Sequence, residues 1–470
     1  MTEKKYPVGR GRDYEFKIEK LAFGGAGVAR IDNYVVFVKN ALPGDRVIAR
    51  ITKRKSTFAE ARLVSIIDKS PLRTDAPCPH FEWCGGCTWQ NLSYEDQLDH
   101  KFKIVEESLH HIAGLKEIPV KRVLPSEKIV SYRNKMEFSF SDRKWLTPEQ
   151  LDDKSISKEF ALGLHVPGTF DKILHIDRCL LQSDTANDIL SFISEYVQKN
   201  GLEPYGIKSH KGFLRFLVLR ESTYTGKLMV NIVTAYENTK TLKKLADELI
   251  SCFPSIGSIV NNINSRLAQI AVGDIEILLA GEPVIQEKLG EFEFNISANS
   301  FFQTNTLQAE NLYKKVMEFA DLNPNQIVWD LYAGTGTISL FLAQKARQVI
   351  GFELAESAVK DAEKNATDHG IENASFVGGD LLKELMKVNP KPDVVVTDPP
   401  RAGMHEKVVE YLNTLSPERI VYVSCNPTTL SRDLAILEKK YAIDEVQPVD
   451  MFPHTYHIET VVKLSRKKEK

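Results

Sequence analysis

The sequence predicts a multidomain protein ending in a doubly wound α/β domain, and three observations carry that prediction. The chain has 470 residues, too many for one ordinary core. Residues 14–67 alternate apolar and polar positions in short stretches such as "YEFKIEKL", "YVVFVKN" and "AEARLVSII", broken by turn residues, which is the pattern of a small, strongly bent β-barrel. From about residue 291 strand and helix patterns alternate strictly, which implies a mainly parallel sheet covered on both faces.

Taken in order, residues 1–70 form the barrel, with "TKRKS" (52–56) read as a basic loop between two strands. Residues 71–290 form a mixed α+β central domain. Its runs "KMEFSFS", "GFLRFLVLRE" and "KLMVNIVTA" alternate with helical ones such as "TKTLKKLADELISCF". A helix at about 91–115, capped by Ser93 and closed by Gly114, is a candidate to pack with the last domain. Residues 291–470 supply the α/β domain, with helices at 306–320, 337–345, 356–368, 405–415 and 428–438 and strands at 326–331, 348–352, 374–377, 393–397 and 419–424.

Composition narrows the function. Hydrophobic residues at 43% and charged residues at 26% describe a soluble globular protein, and no apolar run approaches the roughly 20 residues that span a bilayer. A cytoplasmic address without membrane association follows as the expectation. The net charge of -2 conceals an asymmetry: residues 1–65 hold fourteen Lys or Arg against seven Asp or Glu. A basic N-terminal module suggests a polyanionic partner, most simply nucleic acid.

"IVWDLYAGTGTISLFLA" (327–343) reads as strand, glycine turn and helix, in which Gly334 and Gly336 let the backbone approach a ligand. Taken alone it is a weak signal, equally a dinucleotide fingerprint or a tight βα turn. The next strand ends in Glu353, which can accept from both ribose hydroxyls of NAD or S-adenosylmethionine, and "FVGGDLL" brings Asp380 within reach of an adenine amino group, or makes it a helix N-cap.

The sequence "DVVVTDPPRAGMH" (393–405) runs a buried strand into Asp398-Pro-Pro-Arg401, where two prolines hold a rigid turn. The run "IVYVSCNPTTLSRDL" (420–434) ends a strand on Cys425, because Pro427 forbids its continuation. Asp-Pro-Pro after the fourth strand resembles the signature of S-adenosylmethionine-dependent nucleic acid methyltransferases. With Cys425, the chain as a whole resembles the RNA uracil-5-methyltransferase family through "SFFQTN" (300–305), "DLYAGTGTISL" (330–340), "DPPRAG" (398–403), "VSCNPTTLSRDL" (423–434) and "MFPHTYHIETVVKL" (451–464). The N-terminal barrel resembles a TRAM domain, an OB-like RNA-binding module, and the last domain a Rossmann-like class I methyltransferase.

The resemblance implies roles that the chemistry requires. Uracil C5 is too weak a nucleophile to take a methyl group unaided, so a thiolate adds to C6 and returns its charge through C5. Cys425 is that nucleophile, and its pKa is expected to be lowered. Glu459 is the base that removes the C5 proton, with His457 as rival. Asp398 accepts from uracil N3–H. Gln303, Tyr332, Gly334, Gly336, Thr337, Glu353, Asp380 and Asp398 border S-adenosylmethionine. Phe301 and Phe302 are read as a core pair, one of which stacks on the target base. Arg133, Asn134, Lys135 and Arg220 on the central domain, and Lys53 and Arg54 on the barrel, are candidate RNA contacts.

Cys78, Cys84 and Cys87 form C-x5-C-x2-C, and Cys179 follows in "HIDRCLLQ". Four cysteines in a long chain read as a metal or cluster site, and the uneven spacing resembles the family's [4Fe-4S] site rather than a zinc ribbon. Phe81, Trp83 and Trp89 are expected to shield it. Barrel and cluster together imply 23S rRNA as substrate with transfer RNA as the alternative, acted on by a monomer. The competing classes are a non-catalytic RNA-binding iron-sulfur protein and, more distantly, an NAD-dependent oxidoreductase.

Overall fold

A computed structural model describes residues 6–115 and 117–468, so the end of the basic tail "SRKKEK" lies outside the described residues. The chain divides into two compact units. The first comprises residues 1–75, 88–126 and 310–470, and the second residues 76–87 and 127–309.

In the first unit the N-terminal residues make a six-stranded sheet, in the order Asp13–Lys17, Arg46–Arg54, Phe58–Asp68, Tyr34–Lys39, Gly27–Ile31, Lys20–Leu21. Alternation does the folding: along Arg46–Arg54 the residues Val47, Ala49 and Ile51 turn inward and meet Phe16, Ile18, Val36, Val38, Ala59 and Ala61 in one core. Gly27 is required here, because a Cβ would lie 2.6 Å from the carbonyl oxygen of Ala41. The expected basic loop is shorter than read. Lys53 and Arg54 still belong to the strand, paired with Glu60 and Ala59, so the turn is confined to 55–57.

The same unit holds a seven-stranded sheet, numbered here along the chain: β1 (Ile327–Leu331), β2 (Gln348–Glu353), β3 (Ala374–Gly378), β4 (Val394–Thr397), β5 (Arg419–Ser424), β6 (Tyr441–Val449) and β7 (Glu459–Arg466). Its order is β3-β2-β1-β4-β5-β7-β6, parallel except for β7, which runs antiparallel to both β5 and β6. The apolar runs of β4 and β5 are fully buried, as a sheet covered on both faces demands. Its helices are α1 (Thr337–Ala343), α2 (Glu356–Asp368), α3 (Leu381–Lys387), α4 (Glu406–Leu415) and α5 (Pro427–Leu437). The helix Tyr94–Ile112, capped by Ser93, contributes Val105 and Leu109 to the core that contains Leu430, Leu434, Tyr441 and Val446. Strand order reverses between β1 and β4, where Asp398 donates its N–H to the Leu331 carbonyl at 3.3 Å. That switch point is where open α/β sheets bind ligands.

The second unit carries an eight-stranded sheet whose central strands are Leu228–Thr234, Leu214–Glu221 and Lys135–Ser141, flanked by helices Asp184–Lys199 and Thr239–Cys252. Among the described residues no helix is long and apolar enough to cross a membrane.

Candidate active site

The first βα turn of the seven-stranded sheet is built from left-handed backbone. Tyr332, Gly334 and Gly336 have φ of 63°, 56° and 79°. A Cβ on Gly334 would meet nothing within 4 Å, so the loop borders open space, whereas one on Gly336 would strike Ala362 and Phe376 at 2.9 Å. Gly334 thus frees the backbone for a ligand and Gly336 for close packing. Glu353, half-buried at the end of β2, accepts from the N–H groups of Gly334 at 3.0 Å and Ala355 at 2.8 Å, which fixes its carboxylate beside the glycine turn. Thr337 opens α1 and its hydroxyl meets that of Thr335 at 3.4 Å. Asp380 is exposed and caps α3, accepting from the Lys383 N–H at 3.1 Å. Helix α3 itself was not read from the sequence.

At the ends of β4, β5 and β7 the structure gathers Asp398, Cys425 and Glu459, each half-buried. Burial pushes Asp398 up to about 7 and Glu459 up to about 8, the latter also raised by Asp398 and opposed by Arg401. The Cys425 thiol is likewise pushed up to about 11 by burial, then by Glu459 and Asp398, with Arg401 acting the other way. This corrects the expectation of a lowered thiol pKa: the protein alone surrounds Cys425 with carboxylates and supplies one exposed cation. Pro427 stands at the first turn of α5, and Asn426 caps that helix through the Thr428 N–H at 3.0 Å, so the strand ends at Ser424, immediately before Cys425. The ring of His457, the rival base, packs on Tyr456 with centroids 4.2 Å apart.

Three residues near these ends were not singled out from sequence. Asp330, 1% exposed, accepts from Ser339 at 2.6 Å while its Oδ1 has no hydrogen-bond partner, and burial holds it near 7, raised further by Asp398 and Glu353. Leu354, directly after Glu353, is 75% exposed, an apolar face of the kind a flat heterocycle covers. Arg401, exposed, directly follows the two prolines after Asp398.

In the second unit, Phe301 and Phe302 separate: Phe301 is 72% exposed, whereas Phe302 is buried against Phe294. Arg220 is not a surface RNA contact. It is 4% exposed and donates to the carbonyl of Ser300. Asn134 is also buried, with its amide on the Gln303 carbonyl at 2.8 Å, so both hold the 300–303 segment. Lys135 is half-buried and pairs with Glu137, and Arg133 is half-buried beside it in the chain. On the barrel, Lys53 and Arg54 line an open cavity of about 410 Å³ with Arg10 and Thr52.

The four cysteines Cys78, Cys84, Cys87 and Cys179 all fall in the second unit. Burial, then Cys87, Cys179 and Cys78, push the Cys84 thiol up to about 12, so the four thiols act on one another. Gly86 donates its N–H to Cys84 Sγ at 3.3 Å. A side chain on Gly85 would lie 2.7 Å from the His165 carbonyl oxygen, so the backbone approach needs glycine. Cys179 is fixed by Asn187, which accepts its N–H at 2.8 Å and donates to its carbonyl at 3.0 Å. Among the described residues no group of three or more His, Cys, Asp or Glu side chains is placed to hold a metal ion. Trp83 packs on Trp145 at 5.4 Å, but Trp89 is not a shield of this set. It is fully buried in the first unit with Leu21, Leu42, Leu92 and Ile104.

Comparison with known proteins identifies the family and the N-terminal domain. The family described as tRNA (Uracil-5-)-methyltransferase matches residues 222–467, and the TRAM domain matches residues 7–64. An uncharacterised RNA methyltransferase of Chlorobaculum tepidum is 45% identical over 433 residues, 90% of each chain. Another, from Porphyromonas gingivalis, is 42% identical and covers 96% of this chain and 100% of its own. Among solved structures, the Pyrococcus abyssi tRNA (uracil-54, C5)-methyltransferase in complex with S-adenosyl-L-homocysteine is 32% identical, with a TM-score of 0.73 over 96% of this chain and 100% of that one. With its N-terminal TRAM domain, the chain belongs to the tRNA (uracil-5-)-methyltransferase family of S-adenosylmethionine-dependent RNA methyltransferases.

Proposed function

We propose that the protein methylates C5 of a uridine in 23S rRNA, with Cys425 as nucleophile and Glu459 as base. The observation that carries this is the meeting of Cys425, Asp398 and Glu459 at three adjacent strand ends. The residues present fit S-adenosylmethionine: open space over Gly334, the oriented Glu353 carboxylate and the exposed Leu354 suit a nucleoside with a flat base. When bound, it supplies the electrophilic methyl group. Thr337, Tyr332 and Asp380 are assigned to the same rim.

Cys425 sulfur adds to C6 of a uracil turned out of its stack. Positive charge beside the thiol favours its ionisation, and Arg401 already acts in that sense. Asp398, when ionised, accepts from uracil N3–H, a donor that cytosine lacks. After C5 has been methylated, Glu459 takes its proton, and the C6–S bond breaks to release the thiolate. A carboxyl group raised to about 8 is well matched to proton transfer near neutral pH.

We assign a [4Fe-4S] cluster to the four cysteines, which would ligate it as thiolates: the thiols act on one another, although no three of them stand in a ligating arrangement here, and the uneven C-x5-C-x2-C spacing resembles the family's cluster site rather than a zinc ribbon. No step of the methyl transfer requires an electron, so its role is structural. Lys53 and Arg54 on the barrel are proposed to meet the RNA backbone, and a cytoplasmic monomer suits this work.

The rRNA assignment rests on the pairing of a TRAM barrel with four cysteines. A transfer RNA substrate is the second reading, favoured by the Pyrococcus abyssi relative. The test uses 23S rRNA and tRNA transcripts containing 5-fluorouridine, whose C5 fluorine cannot leave as a proton. A stable covalent complex is expected with the wild type and none with Cys425→Ala; its absence from both transcripts overturns the mechanism. Trapping on tRNA alone transfers the assignment to tRNA.

A further inference from the structure

The second half of the cysteine motif holds two charged residues that this chemistry leaves unused. Asp433 is 0% exposed. Its Oδ2 accepts from the Tyr422 hydroxyl at 2.7 Å and from the Met404 N–H at 2.9 Å, and its Oδ1 accepts from Arg432 Nε at 2.8 Å. Arg432 Nη2 in turn donates to the carbonyls of Ala402 at 3.1 Å and Met404 at 2.9 Å. At the near end of the same turn, the Arg401 carbonyl accepts from Asn426 Nδ2 at 3.0 Å and Thr429 Oγ1 at 3.3 Å. The turn that follows Asp398-Pro-Pro is therefore bonded at Arg401, Ala402 and Met404 to α5 and its cap, directly after Cys425.

The fit between turn and helix leaves no slack. Gly403 has a φ of +75°, and a Cβ there would stand 2.6 Å from Arg432 Nη2 and 2.8 Å from Asp433 Oδ2. Apolar packing would join the two segments without the desolvation of a carboxylate. Asp433 instead meets the turn through Met404, the strand β5 through Tyr422 and its own helix through Arg432, so directed bonds from three elements fix direction as well as distance.

We propose that Arg432 and Asp433 are positioning residues that clamp the 401–404 turn onto α5, carrying the Arg401 side chain and the Asp398 carboxylate at a set offset from the Cys425 sulfur. The proposal rests on Cys425 being the nucleophile. The full-length protein, S-adenosylmethionine and the 5-fluorouridine transcripts test it by single-turnover trapping, with cofactor affinity measured by calorimetry.

Asp433→Asn and Arg432→Lys are expected to slow adduct formation by about ten-fold, since small misplacements of reacting groups cost that order of rate, while cofactor affinity is unchanged. Combined with Arg401→Ala, either is expected to slow the reaction by less than it does alone, because part of the clamp's effect runs through the Arg401 side chain. Multiplying effects, or cofactor affinity falling in step with rate, would overturn the proposal in favour of a merely structural role. If Asp433→Asn does not fold, Arg432→Lys carries the test, its side chain being 49% exposed. A wild type that traps no RNA overturns the reaction and the clamp together, whereas a trapping wild type with variants of equal rate overturns the clamp alone.

Discussion

Cys425 and Cys84 present the same side chain in two opposite settings. Cys425 is half-buried and faces two carboxyl groups and one guanidinium, and its thiol is pushed up to about 11. Cys84 is buried among three other thiols and is pushed up to about 12. Both thiols are held in the protonated form by burial and by neighbours that oppose a thiolate. The neighbours set the two apart. Carboxyl groups near 7 and 8 exchange protons at neutral pH and suit turnover, whereas thiols raised by one another ionise together only when a metal compensates them.

The largest effect is expected at Cys84. On the cluster assignment proposed above, Cys84→Ser should remove iron and sulfide from the purified protein, whereas Cys425→Ser should keep both and lose only covalent trapping. Cys252→Ser, at an exposed cysteine outside both groups, should change neither measurement. Iron retained in full by Cys84→Ser would break the contrast between the two settings.

A smaller loss tests how the Cys425 setting is held. The segment leading into Glu459 is anchored by Lys101, whose ammonium meets Asp450 Oδ1 at 2.6 Å with both side chains fully buried, and by Gln97, which accepts the His454 N–H at 2.8 Å. Lys101→Met would leave a buried carboxylate unpaired, and the expected loss is about 3–5 kcal/mol in denaturant unfolding, largely recovered when Asp450→Leu is added. A loss below about 1 kcal/mol would show that the ion pair does not hold this segment.

The smallest effect is in pH dependence. Asp398 and Glu459 have native values of about 7 and 8 against ordinary values of 3.8 and 4.5, so the native state keeps protons that the unfolded chain has already released. The stability they contribute is fully present below about pH 4 and is lost as pH rises through about 8. The melting temperature of the cofactor-free protein should therefore fall between about pH 6 and pH 8.5, and Asp398→Asn with Glu459→Gln should flatten that fall. An identical slope in the double variant would assign the dependence to other groups.

Much of the catalytic domain could be read along the chain because its signals are local. Pro427 stops β5 and opens α5. The turn glycines at 334 and 336 both adopt left-handed φ. The seven-residue α3 is too short to display a helical period and, unlike the equally short α1, which begins within "DLYAGTGTISL", lies in no such motif, although its cap, Asp380, is legible.

What sequence alone determined were the elements, the turns that end them and the motifs placed at those ends, all set by residues a few positions apart. Only the tertiary structure decided burial and charge environment. Arg220 and Asn134 became internal braces, Cys425 acquired carboxylate neighbours from two other strands, and Lys101 found Asp450 349 positions away. The reason is physical: backbone preference is a property of short segments, whereas desolvation and Coulomb interactions depend on which distant segments the fold brings within a few ångströms.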